Sequence, residues 1–202
     1  MRDLSIQIVR IDSLPDIPGL VVTIMGYIST QGFRLSDWLR EEHVESIDLV
    51  AHTTRSVFEA ILIYRHLMVD GGEHFIERLT AEIARDELDI IDESLRRFDD
   101  GAAPPELLAR QQQLKLINPP KKVLHVSSLA DEIGERREYN TYYKLFSKYS
   151  HPSLYLLVGD RRAVYSQQAL RLLTERAVVY LEYATNDYER LQGALSDRHE
   201  GA

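Results

Sequence analysis

The 202-residue chain has no cysteine. That removes a disulfide framework, a thiolate metal site and a cysteine nucleophile in one step, and it suits a reducing compartment such as the cytoplasm. A membrane-spanning segment is missing as well. The most apolar run, Leu20 to Ile28, is nine residues long, against the roughly 20 that a spanning helix needs. It has neither the basic lead-in nor the small-residue cleavage site of a secretory signal. The chain holds no Gly-rich phosphate loop, no Gly-x-Ser-x-Gly and no His-Glu-x-x-His. Glu-x-x-His is missing too, so a di-iron bundle lacks its usual ligands. No cofactor and no metal site is expected. An overall basic charge is also absent: the net charge is -8, which argues against a nucleic-acid coat and against a DNA partner.

What is present is an ordinary globular composition, with 44% hydrophobic and 28% charged residues. A chain of this length fits one domain and buries a core without staples. Charge is unevenly placed. From Lys121 to Arg162 there are eight basic residues and five acidic ones, so this span is +3 and the remainder is -11. A local anion-binding surface fits that distribution, and so do solvated helix faces.

Hydrophobic periodicity points to an all-α, single-domain bundle of about five to seven helices spanning residues 20–195. Residues 1–19 read as an N-terminal arm and 196–202 as a frayed tail. A first buried helix covers about Leu20 to Ser29, with Gly32 as its end and Ser36 as the cap of the next. The pattern from about Leu39 to Val69 is the surest helix, whether or not it breaks near His43. Stepping 100° per residue, Asp48, Arg55, Glu59 and His66 share a line about 40° wide, and apolar residues cover most of the rest. Such a helix is central, and its polar line must face a groove or find internal partners. His52, Glu59 and His66 follow at steps of seven residues, about 10.5 Å apart, too far to share a metal. Amphipathic helices follow at Glu73 to Phe98 and Pro104 to Ile117. A short one, capped by Ser127 or Ser128, runs to Ile133, and another covers Glu135 to Ser150. Ser166 caps a last helix running to about Ala194.

Helix-wheel positions in the stretch from Tyr139 to Leu157 put Asn140, Tyr143, Lys144, Ser147 and His151 on one polar face, with Tyr142, Leu145, Phe146 and Tyr149 opposite. Pro152 disfavours helical backbone at His151, which therefore sits at a helix end. There, the helix dipole favours an imidazolium. One reading is structural: Arg55 and Glu59 are an i,i+4 pair, and the serines satisfy local backbone groups. The other brings Arg55 as anion anchor, Glu59 as orienting carboxylate and His151 as acid or base against Asn140, Tyr143, Lys144 and Ser147. That set suits a phosphate-containing ligand or RNA.

At these two stretches the sequence resembles an uncharacterised group of mostly bacterial helical proteins. The resemblance rests on an R-x3-E pair (Arg55, Glu59) and an S-x3-H-P-S ending (Ser147, His151, Pro152, Ser153), and covers roughly residues 40 to 190. It implies an all-helical fold. More distantly the chain is similar to HEPN-type bundles, many of them RNases of toxin-antitoxin or phage-defence systems. Their arginine, four to six residues, histidine motif is matched here by Lys144 and His151, with lysine where arginine belongs. The resulting expectations are three. The first is a cytoplasmic binding or regulatory module, linked to defence or stress, with a groove around Arg55, Glu59 and His151. The second is a metal-independent RNase using His151 with Arg55 or Lys144. The third is a structural homodimer burying the tyrosine-rich last helix.

Overall fold

The computed structural model describes residues 17–40, 47–69, 72–98, 103–117, 124–150 and 159–200, without the side chains of residues 39, 161, 163 and 191–200. Among these residues the protein is an all-α bundle. Its helices are α1 (Ile17–Arg40), α2 (Ile47–Met68), α3 (Gly72–Leu95), α4 (Pro105–Leu116) and α5 (Val126–Glu132). α6 is continuous through Arg136–Glu138, Tyr139–Tyr143 and Lys144–Ser150, and after a single turn at Arg161–Val164 comes α7 (Gln167–Glu200). The expected fold class is therefore observed.

α2 is the axis of the bundle. It packs against α1, α6 and α7, and twelve of its residues are buried, among them Ile47, Val50, Val57, Phe58, Ile61, Leu62 and Leu67. Each such side chain contributes about 1.5–3 kcal/mol on leaving water, so a helix apolar on most sides is stable only in this central place. Thr54 is buried with them and donates its hydroxyl to the carbonyl of Val50 (2.7 Å), which removes the penalty of an unpaired polar group. Among the described residues every buried side-chain nitrogen or oxygen has a partner. The main core gathers α1, α2, α5, α6 and α7 around Phe58, Phe146 and Tyr180. α3 and α4 pair over a smaller cluster of Ala84, Ile91 and Leu114, clamped by Arg110 on both oxygens of Glu87 (2.7 and 2.8 Å).

Three local expectations are corrected. α1 does not end at Gly32, nor does a helix start at Ser36; α1 runs on to Arg40. Gly32 lies against α7, where an added Cβ would sit 3.3 Å from Leu181 Cδ2, so the glycine serves helix contact rather than termination. α5 is not capped by Ser127 or Ser128. The His125 carbonyl accepts the amides of Ser128 and Leu129 (2.8 and 3.1 Å), which puts both serines inside the first turn. The last helix starts as expected, with Ser166 Oγ accepting the Ala169 amide (3.1 Å), but continues to Glu200. Most of the expected arm, the 41–46 and 118–123 connections and His151 lie outside the described residues.

Candidate functional site

The polar line of α2 meets α6 at its midpoint. Arg55 and Glu59 are one helical turn apart, and Tyr143 of α6 descends between them. The Tyr143 phenol donates to Glu59 Oε1 at 2.6 Å, and Arg55 Nε donates at 3.1 Å to both Glu59 Oε1 and Tyr143 Oη. The guanidinium also lies 4.9 Å from the centre of the Tyr143 ring. Of the expected site residues, these three converge.

Among the described residues, Asn140, Lys144 and Ser147 do not join them. Ser147 turns its hydroxyl onto the carbonyl of Tyr143 (2.9 Å), a bond within its own helix. Asn140 and Lys144 are exposed on the outer side of α6, with Lys144 Nζ 5.6 Å from the centre of the Tyr139 ring. His151 lies outside the described residues, so no placement relative to the cluster follows.

Tyr143 was expected on a polar face and is buried instead. The backbone leading into it is unusual: Tyr139–Tyr143 is π-helical, with the Lys144 amide bonded to the Tyr139 carbonyl five residues back. A π turn holds more than 3.6 residues, so a 100° wheel misplaces the residues it passes through. The wider turn stacks Tyr139 on Tyr143, ring centres 4.9 Å apart. Arg136 and Lys144 each lie 5.6 Å from the Tyr139 ring centre. A column therefore runs from Arg55 through two tyrosines to the basic surface of α6.

A second cluster with the same parts lies on the opposite side of Phe58, and the sequence reading missed it. Glu138 of α6 accepts from Arg176 Nε and, at 2.6 Å, from the phenol of Tyr180. Arg176 lies over Tyr142 and Tyr180, 4.5 and 5.2 Å from their ring centres. Phe58 packs between the clusters, 5.9 Å from Tyr143 and 5.2 Å from Tyr180. The available signal was the Arg176-x3-Tyr180 spacing, which puts both on one face of the last helix. Of the tyrosines read there as core or interface, Tyr180 is core, while Tyr183 and Tyr188 are exposed.

The electrostatics identify what these clusters do. Burial pushes both phenols well above the usual tyrosine range, and the glutamate each one bonds pushes the same way. At neutral pH both phenols are protonated donors. Each arginine charge is matched by a glutamate within hydrogen-bond distance. A protonated phenol, a guanidinium and a carboxylate accepting from both form a tie between helices.

A groove of about 710 Å³ lies elsewhere, where the ends of α2 and α5 meet α7. Arg65 there bonds Asp187 (3.0 Å) and Glu135 (2.7 Å), and Arg78 grips Glu132 with two bonds (2.9 and 3.1 Å). His66, the end of the α2 polar line, reaches the Leu129 carbonyl (3.0 Å) and stacks on Phe75 (4.8 Å). The charges of this groove are thus largely matched within the protein. Among the described residues no group of three His, Asp or Glu is placed to hold a metal, and no helix is long and apolar enough to cross a membrane.

Set against protein-family models, curated proteins and solved structures, the chain matches none.

Proposed function

We propose that the protein is a binding module for a phosphate-bearing partner, of the class of single-stranded RNA, and that the outward face of α6 makes the contact. The observation that carries this reading is the sorting of charge along α6. Arg136, Arg137, Lys144 and Lys148 are exposed, while the single carboxylate of the helix, Glu138, is turned inward onto Arg176 and Tyr180. The outer face is therefore basic on a chain whose net charge is -8. An acidic surround repels a polyanion everywhere else and orients its approach to this one face. Lysine and arginine take phosphate oxygens, and Tyr139 holds Arg136 and Lys144 beside one another, each 5.6 Å from its ring centre.

In this reading Arg55 and Glu59 do not touch the ligand. They fix Tyr143, Tyr143 supports Tyr139, and the column sets the basic face. The module acts by binding, with no covalent step.

Fluorescence anisotropy with a labelled 12-nucleotide RNA tests the reading. Four phosphate contacts give a log–log salt slope of roughly -3 for a single strand, so affinity falls on the order of 50-fold between 50 and 200 mM salt. The double variant Arg137→Glu, Lys144→Glu binds at least tenfold more weakly, and the RNA recovered afterwards is intact. Undiminished binding by the double variant removes the assignment. RNA cleavage by the wild type that is lost in His151→Ala replaces it with a nuclease.

A further inference from the structure

Between α2, α3 and α5 the bundle keeps a pocket of about 160 Å³. Its walls follow from helix periodicity: Glu59, Leu62 and Ile63 share one face of α2, and Phe75, Leu79 and Glu82 share one face of α3. Seven of its nine lining residues are apolar, the other two are the carboxylates Glu59 and Glu82, and no lysine, arginine or histidine is among them. Both ends of the α3 wall are held in place. The Phe75 ring is stacked with His66, ring centres 4.8 Å apart, and Arg78 lies 5.9 Å from its centre. Glu82 Oε2 accepts from Arg85 Nη1 at 2.9 Å and from the Leu124 amide at 3.0 Å, and its Oε1 accepts from Arg85 Nη2. The two carboxylates therefore differ. Both oxygens of Glu82 are taken by the protein. On Glu59, Tyr143 and Arg55 both bond Oε1, and Oε2 takes no hydrogen bond among the described residues. Every buried side-chain oxygen among those residues has a partner, and the Glu59 side chain is one-third exposed. The unbonded Oε2 is thus an oxygen that a solute can reach.

We propose that this pocket binds a small amphipathic primary amine, its apolar body between α2 and α3 and its ammonium on Glu59 Oε2. Size sets the body. An apolar cavity of ~150 Å³ takes one benzene ring, so this pocket takes a single ring or a chain of similar volume. Charge sets the head. A carboxylate or phosphate entering here meets two glutamates and no lining cation, whereas an ammonium gains a charge-assisted bond to an oxygen the fold leaves unused. The ionic partners of the two glutamates do not reverse this: Glu59, Glu82 and Asp86 stand against Arg55 and Arg85, three negative charges to two positive. An uncharged ring fits the same walls but leaves Oε2 to water. Apolar walls around one available polar group are the usual make-up of a small-molecule site. The assignment rests on α2, α3 and α5, and stands independently of RNA binding at α6.

Methyl NMR spectra of the full chain titrated with benzylamine test this, with benzyl alcohol and benzoate as the neutral and anionic counterparts. Benzylamine is expected to shift the methyls of Leu62, Ile63, Leu79 and Leu129, with a dissociation constant below roughly 1 mM for a ligand of eight heavy atoms. Benzyl alcohol should bind at least tenfold more weakly, and benzoate should leave these methyls unmoved. Leu79→Trp fills the pocket from α3 without altering either glutamate and should abolish the benzylamine shifts. Glu59→Gln keeps the side-chain shape and an oxygen acceptor for Tyr143, and should weaken benzylamine to the level of benzyl alcohol. Thermal melts show that each variant is folded, and the three-ligand comparison on the wild type needs neither of them. The absence of methyl shifts at about 10 mM benzylamine, tenfold above that constant, overturns the proposal. So does equal binding of the amine and the alcohol, which makes the pocket an apolar void with no cation site. Benzylamine shifts that survive Leu79→Trp overturn it as well, by placing the amine on the acidic surface instead.

Discussion

Tyr143→Phe isolates what the α2–α6 tie contributes, because it keeps the ring and its stacking and removes one oxygen. That oxygen donates to Glu59 Oε1 at 2.6 Å and accepts from Arg55 Nε at 3.1 Å. A hydrogen bond to a charged group contributes about 1.5–3 kcal/mol net. Glu59 is one-third exposed, so water partly replaces the lost donor. Arg55 also keeps its direct bond to Glu59. Both facts pull the expected cost down to about 1–2 kcal/mol, a fall in Tm of roughly 3–6 °C for a domain of this size. Urea denaturation followed by circular dichroism measures it. The decisive comparison is the double-mutant cycle with Glu59→Ala. The tie requires a coupling energy of about 1 kcal/mol between the two positions, within the range found for residues in direct contact. Equal costs of Tyr143→Phe in the wild-type and Glu59→Ala backgrounds would refute the reasoning, since the phenol would then stabilise α6 without its carboxylate.

Other outcomes follow from the same structure. Tyr143 and Tyr180 hold their protons above the usual tyrosine range, while the unfolded phenols ionise near pH 10. The stabilisation is complete below pH 10 and is lost as pH rises towards the folded values. Stability should fall by up to about 1.4 kcal/mol per pH unit for each tyrosine, and a Tyr143→Phe, Tyr180→Phe variant should show a flatter pH profile above 10 by thermal melt. Gly134 closes α5 with φ +79°, where its amide reaches the Asp131 carbonyl (3.2 Å) and the Glu135 amide reaches Ala130 (2.6 Å). Gly134→Ala should cost about 1–2 kcal/mol by urea titration, the penalty of a Cβ in left-handed backbone. Phe58→Ala removes the ring packed between Tyr143 and Tyr180 and should cost about 3–5 kcal/mol.

The helical class and the central place of α2 were legible because both follow from periodicity alone: a helix apolar over most of its circumference has one stable location. The Arg55–Glu59 pair was legible for the same reason, being two residues on the one polar line of that helix. Tyr143 was placed against Arg55 and Glu59 as the structure has it, but its burial was not read, because the packing of its ring on Phe58 comes from another helix. Gly32 misled because the contact that uses it, with Leu181, comes from 149 residues further along the chain. The Glu138–Arg176–Tyr180 cluster was out of reach for a similar reason. Its i,i+4 pair is visible in sequence, but the carboxylate that gives it meaning belongs to another helix. Ser166, a local cap, was found correctly.

The central claim is that the clusters beneath α6 hold a basic face outward for a phosphate-bearing partner. Titration of the ¹⁵N-labelled protein with a 12-nucleotide RNA, followed by amide chemical shifts, tests it most directly. The account predicts that shifts concentrate between Arg136 and Ser150, stay small on the acidic α3, and persist in Tyr143→Phe at reduced magnitude. Shifts that cluster in the Arg65–Asp187 groove, or that spare α6 altogether, would contradict it.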